Sequence, residues 1–364
     1  MNDELGASDA AASDVGVAVD PIGLLVDPGF VVVAEPTKKF EIKIDCRPRV
    51  CYALSYNKVP HIKSISVRNI GGDISGQLTL KVGMKWTAAQ QPPMVAKEIV
   101  IDCPNSGSTA QINGDSFRLD DSAMVDIAER TTAKIVVSVR DQSGLEESTE
   151  CDIELLARNQ WLNDSDLYEL TAAFVQPNHP TVNEILKDAS AILLRETGSN
   201  SLEGYQSGRQ RAHQIGSAVF MALQGRIDNY INPPAGWETE GQKLRPIDEV
   251  LEQRQGTCID LACAYASCLA QVGLNPFVFM VHGHAFAGFS LSSSSMKWNA
   301  VERNFSTVIS LIETGEIIAA ETVCLAQSNK VPFAEAQKLV REHMRDSVHD
   351  CDICGFFHKQ NPGG

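Results

Sequence analysis

Two kinds of hydrophobic spacing divide the chain near Trp161. Before it, apolar positions alternate with polar ones in short runs: Phe40–Ile44, Ile62–Val67, Gln77–Val82, Ala133–Val139 and Cys151–Leu156. Clusters of turn-forming residues at 69–72, 90–93, 104–107 and 142–144 separate them. A period of two with such punctuation predicts strands. Strands this short and frequent predict an antiparallel β-sandwich over residues 36–157. His61 and the cysteines of this stretch read as core or surface residues, because nothing around them has catalytic spacing.

After Trp161 the period lengthens. Trp161–Tyr168 reads as a connector, Leu170–Val175 and Pro180–Glu196 as helices broken by the intervening prolines, and Arg209–Ile231 as a further helix ended by Asn232-Pro233-Pro234. Residues 236–246 read as a polar loop, a candidate rim for a substrate groove. The run 258–272 has no Gly or Pro and is apolar on nearly every side, which predicts a buried helix stopped by Gly273. Phe277–Val281 and the segment around His284 read as strands, Ser306–Glu313 as a helix and Ile317–Val323 as a strand. The chain is therefore expected to be α+β, an immunoglobulin-like antiparallel sandwich followed by a mixed α+β domain over 158–345.

The chemistry concentrates in this second part. Thr257 is a good N-cap and Asp260 suits the first helical turn, which puts Cys258 at the helix start. Backbone N–H groups and the helix dipole favour a thiolate there. His284 is flanked by Gly283 and Gly288 on the following strands, and an acid comes after it. Cysteine, histidine and acid in that order are the parts of a thiol nucleophile, its base and its orienting group. Glu302 and Glu321 are both placed to be the acid, and Glu321 is preferred because it falls in the apolar run Ile317–Val323. Gln242 and Gln255 are candidate oxyanion donors by chemistry alone. Cys263 and Cys268, further along the same helix, read as small buried hydrophobes.

Gly256-Thr257-Cys258-Ile259-Asp260-Leu261, Gly273-Leu274-Asn275-Pro276 and Gly283-His284-Ala285-Phe286-Ala287-Gly288 together resemble a transglutaminase-like (papain-like) cysteine catalytic core. The chain further resembles a domain at the N-terminus of large bacterial helicase-like proteins found with phage-defence loci. That likeness takes in Trp161, 173–180, 202–206, 233–235, 241–245 and the Ala320-Glu321-Thr322 step, and so covers roughly 40–340. It implies a cysteine-dependent hydrolase, a peptidase acting through Cys258, His284 and Glu321 with no cofactor. A cross-linking acyltransferase, or a non-catalytic module that partners a helicase-like protein, are the alternatives it leaves open. Such cores carry Asp or Asn where this chain has Glu321, one methylene longer.

Composition narrows the partners. A net charge of −15 argues against a nucleic-acid surface, which needs a basic patch. No run of 18 apolar residues offers a membrane span. Ten cysteines at irregular spacing read as the reduced thiols of a cytoplasmic protein, and the expected partner is a protein or peptide substrate. Residues 1–35 hold seven acids and no Lys, Arg or His, and read as a disordered acidic tail. The chain lacks a G-x-x-x-x-G-K-[ST] phosphate loop. In the tail 346–364, His349, Cys351, Cys354 and His358 have half of a zinc or redox motif, and no metal is assigned to them.

Overall fold

The computed structural model describes residues 38–72, 76–86, 94–117, 122–163, 165–236, 241–281, 283–293, 301–346 and 355–358. The acidic tail, the turn at 90–93, and His349, Cys351 and Cys354 lie outside the described residues.

The period-two runs become strands because alternation gives each one an apolar face to bury. In Gln77–Trp86, Leu78, Leu80, Val82 and Met84 are all at most 1% exposed. Opposite them, Thr131–Arg140 offers Ile135, Val137 and Val139 in register, pairing Met84 with Ile135, Val82 with Val137 and Leu80 with Val139. These aliphatic cross-strand pairs pin the register, since a one-residue slip would turn the whole set to water. The strands form a five-stranded sheet in the order Arg49–Val50, Glu146–Leu155, Thr131–Arg140, Gln77–Trp86, Met94–Asp102. A three-stranded sheet, in the order Phe40–Cys46, Ile62–Asn69, Thr109–Asn113, shares its core through Phe40, Ile65 and Val67. Burying each such side chain contributes about 1.5–3 kcal/mol.

Short helices interrupt this all-strand expectation at Tyr52–Tyr56 and Ser122–Val125. The first carries Ser55, whose Oγ lies 2.8 Å from Nε2 of His61. His61 is 2% exposed, and burial, with Arg47 nearby, pulls its pKa from 6.5 down to about 4. The folded protein therefore holds this ring neutral while an unfolded chain would protonate it. The His61 contribution to stability should be constant above pH 6.5 and fall between 6.5 and 4, by about 3 kcal/mol at the acid end. Urea unfolding of wild type and His61→Gln across that range checks it, the variant losing the slope.

The break near residue 157 is a break between cores. Among the described residues no sheet contains strands from both sides of it. Across it, Cys51, Ala53 and Leu54 pack with Leu156, Leu162, Leu167 and Leu170, and residues 39–364 pack as one compact unit.

Beyond the break, the helix Cys258–Gln271 lies at the centre of the larger core. Around it pack Pro180–Thr197, Gly208–Gln224 and one face of a five-stranded antiparallel sheet. That sheet runs in the order Val301–Glu302, Gly355–His358, Pro276–Val281, His284–Ser290, Ile317–Ala320. The helix Phe333–Asp346 packs against the last strand. Gly288 allows the two last strands to meet: a Cβ there would lie 2.2 Å from the carbonyl oxygen of Ile318.

Several elements depart from the sequence expectation. Helix of the 3-10 kind begins at Ser165, inside the expected connector, and runs to Phe174 with a non-helical kink at Leu167. The helix read as Arg209–Ile231 ends at Gln224, because Gly225 and the turn after it send Asn229–Tyr230 into a two-residue parallel pairing with Gln255–Gly256. The supposed polar rim holds Gln242–Lys243, an antiparallel partner of Gln160–Trp161, with Gln242 buried. Trp161 is thus a sheet partner in the core rather than part of a connector. Glu321 lies one residue past its strand, as N-cap of the 3-10 turn Thr322–Leu325.

Candidate active site

The cysteine helix starts where it does because of a reciprocal cap. Thr257 N donates to Asp260 Oδ2 at 3.0 Å, and Asp260 N donates to Thr257 Oγ1 at 3.5 Å. Asp260 is buried, and its remaining capacity is used by Arg245, whose backbone N and guanidinium donate to it at 2.9 and 3.1 Å. A buried carboxylate paired this fully is a rigid anchor. It fixes Cys258 at the first helical position, 6% exposed, with the helix N-terminus behind the sulfur.

His284 opens its strand directly after Gly283, which takes a φ of +72°. Its Nε2 lies 2.8 Å from Oε2 of Glu321. With Nε2 taken by the carboxylate, Nδ1 is the nitrogen left for Cys258, which also hydrogen-bonds the ring. Burial opposes a charge on His284, but the bonds to Cys258 and Glu321 and their charges outweigh it and push its pKa up to about 10. Glu321 is 1% exposed; burial raises its pKa, yet His284, His343 and the N–H of Val323 hold it at about 2. The two groups are an ion pair at neutral pH.

Of the two acids weighed, Glu321 is the one at the ring. Glu302 lies on the sheet's far edge, with two strands between it and that of His284, and accepts from the N–H of Asn304 at 2.8 Å. Gln242 comes close to the cysteine without facing it: its Nε2 donates to Thr257 Oγ1 at 3.3 Å, and its Oε1 is buried without a partner among the described residues. Gln255 is not brought to the site; its Nε2 turns to Gln253 Oε1 at 3.5 Å.

Two neighbours escaped the sequence reading. The Tyr230–Gly256 pairing sets a phenol beside Cys258, and burial, then Cys258 and Glu321, push its pKa up to about 12. His343, on the Phe333–Asp346 helix, places Nδ1 3.1 Å from the same Glu321 oxygen that holds His284. A signal for it existed, since Ala336, Val340 and His343 stand at i, i+4 and i+7 on one face. The ligand atoms of His284, Glu321 and His343 all lie within 4.8 Å of one another.

The other helix thiols stand apart from this chemistry. Cys263 and Cys268 are fully enclosed, and burial pushes both thiols well up; Cys324 is pushed to about 12 by burial and by Glu321.

No protein-family model matches the chain, and no curated protein does. Solved structures are similar only faintly and over limited stretches. A β-glucosidase from Listeria innocua is 14% identical over 32% of this chain and 16% of its own, with a TM-score of 0.22. The superoxide reductase (neelaredoxin) of Ignicoccus hospitalis is 7% identical over 31% of this chain and 79% of its own, at 0.21. The sporulation control protein Spo0M of Bacillus subtilis is 12% identical over 43% of this chain and 55% of its own, at 0.22. The chain thus spans about a sixth of the Listeria enzyme's length. Likeness at this level leaves the residues themselves to carry the reading.

Proposed function

We propose that this chain is a cysteine-dependent hydrolase, a peptidase with a transglutaminase-like core behind an immunoglobulin-like sandwich. One observation supports it most: the buried Glu321 carboxylate bonds the His284 ring, and the helix-start thiol of Cys258 neighbours that ring. In this reading the Cys258 thiolate attacks a carbonyl carbon of the substrate, forming the S–C bond. The Cys258 N–H and the hydroxyl of Tyr230, which neighbours Cys258, would serve the oxyanion, Gln242 being committed to Thr257. Collapse of the tetrahedral adduct breaks the C–N bond, and His284 gives its Nδ1 proton to the leaving amine. Water, deprotonated by the now neutral His284, then attacks the thioester and releases the acid and the thiol. Glu321 holds the ring in the tautomer that both steps need. An amine in place of water would give cross-linking by the same steps. A cytoplasmic setting rests on the cysteine usage, and a role beside helicase-like defence proteins on the resemblance alone.

Thiol labelling tests the reading without a known substrate. With limiting iodoacetamide at pH 7 in EDTA, followed by peptide mass spectrometry, Cys258 should be alkylated before any other cysteine. His284→Ala should slow that step by at least about tenfold. Labelling of Cys258 no faster than of Cys46 or Cys151, or a rate indifferent to His284, would sink the proposal.

A further inference from the structure

We infer that His284, Glu321 and His343 form a binding site for a divalent transition metal, best suited to Zn2+, whose occupation switches the cysteine site off. The switching half rests on the catalytic reading above; the metal half does not.

The starting point is a hydrogen bond that the catalytic reading does not need. Orienting His284 takes one carboxylate oxygen and one imidazole. Here a second imidazole, from a different element some 59 residues away, is aimed at the same oxygen. Two imidazole nitrogens and a carboxylate oxygen are the donor set of an open zinc site, with the fourth position left to water. Tetrahedral coordination at 2.0–2.2 Å puts ligand atoms about 3.3 Å apart. Nε2 and Oε2 are 2.8 Å apart, Nδ1 and Oε2 3.1 Å, and all three lie within 4.8 Å, so the separations need change by fractions of an ångström to at most about 1.5 Å.

The surroundings hold the set in place. Glu321 is fixed by its other oxygen, Oε1, which accepts from Val323 N at 3.2 Å, and by its own N–H, which donates to Ala336 O at 3.0 Å. The two rings stand edge to face, 5.5 Å apart at 77°, which lets both nitrogens converge without stacking. Ala336 and Val340 are fully buried and seat the helix that carries His343. The His343 side chain is itself half exposed, which gives an ion a way in from solvent.

Occupation would change what His284 can do. A metal on Nε2 displaces the proton that now faces Glu321, and that proton leaves to water. The ring keeps one proton, on Nδ1, and with its other nitrogen on the metal it can no longer give that proton to the leaving amine or take one from water. The acyl-enzyme is then neither formed with loss of the amine nor hydrolysed, and turnover stops.

The full chain, freed of metal with EDTA and exchanged into buffer, is titrated with ZnCl2 by calorimetry and with CoCl2 by visible absorption. The expected result is one equivalent that His343→Ala and His343→Gln each weaken at least tenfold and that Cys258→Ala retains. Its Co2+ complex should show four-coordinate ligand-field bands without thiolate charge transfer. Saturating Zn2+ should slow steady-state hydrolysis of p-nitrophenyl acetate, read after the acyl burst, at least tenfold in wild type, but not in the His343 variants at the same concentration. Zn2+ binding that both His343 variants leave unchanged, or that Cys258→Ala abolishes, overturns the site. Binding as expected with unaltered hydrolysis overturns the switch. Slow alkylation of Cys258 already in EDTA is failure of the catalytic reading instead, and it is scored separately from the calorimetry.

Discussion

Cys258→Ala should fold like the wild type and lose turnover by at least about 10⁴-fold, the scale on which removing a covalent nucleophile acts. The fold survives because the helix start does not depend on the thiol. Thr257, Asp260 and Arg245 cap it among themselves, and Cys258 contributes only one small side chain to the core. The expected stability change is under about 1 kcal/mol. Matched urea curves with no product formation would be the signature. The companion Cys258→Ser should retain bound substrate in a pull-down, which also identifies what the site acts on. A folded Cys258→Ala protein that turns over at the wild-type rate would assign the chemistry elsewhere.

Glu321→Ala should be the most damaging single change for stability and activity together. It leaves the buried His284 ring without its counter-ion and removes the bond to His343, at a cost of about 3–5 kcal/mol. Turnover should fall about a hundredfold or more as the ring loses its orientation. The pH dependence gives an independent check, measured in EDTA. Glu321 is depressed to about 2, so its contribution is present above pH 4.5 and lost as pH falls toward 2. His284 is raised to about 10, so its contribution is full below pH 6.5 and lost as pH rises toward 10. The acid's shift, about 3 kcal/mol, is shared by His284, His343 and the N–H of Val323, and the histidine's by Cys258 and Glu321. Wild type should therefore weaken above pH 6.5 as His284 loses its proton and toward acid as His61 and then Glu321 gain theirs, and Glu321→Ala should shrink the alkaline flank. An unchanged alkaline flank in the variant would remove the ion pair from the account.

What could be read from the sequence was whatever local rules specify. The cysteine helix was legible from Thr257 and Asp260 around an uninterrupted apolar run, and the His284 strand from its flanking glycines. The sheet strands Gln77–Trp86 and Thr131–Arg140 were legible from strict alternation. Met94–Asp102 was not: it is an edge strand, its Val100 is 60% exposed, and its alternation is correspondingly blurred. Tyr230 was hidden because the apolar period of the preceding helix continues to Ile227, while the pairing that sets the phenol beside Cys258 is with residues 255–256. His343 was hidden for a similar reason. Its helix follows Pro332 with ordinary amphipathic spacing, and only the tertiary contact with Glu321 distinguishes it from a surface histidine.

The carboxylate at the end of the Ile317–Ala320 strand also sets a timetable. Synthesis runs from the N-terminus, so Cys258 and His284 leave the ribosome before Glu321, and Glu321 before the Phe333–Asp346 helix against which its backbone is tied. His343 is made roughly 85 residues after Cys258, a delay of about 4–17 s at usual elongation rates. The imidazole precedes its acid by 37 residues, about 2–7 s on the same scale, and for that interval the nascent chain carries a thiol and an imidazole but not the acid that orders them. Whatever chemistry the thiol performs is thereby held back while the chain is still attached to the machinery that makes it.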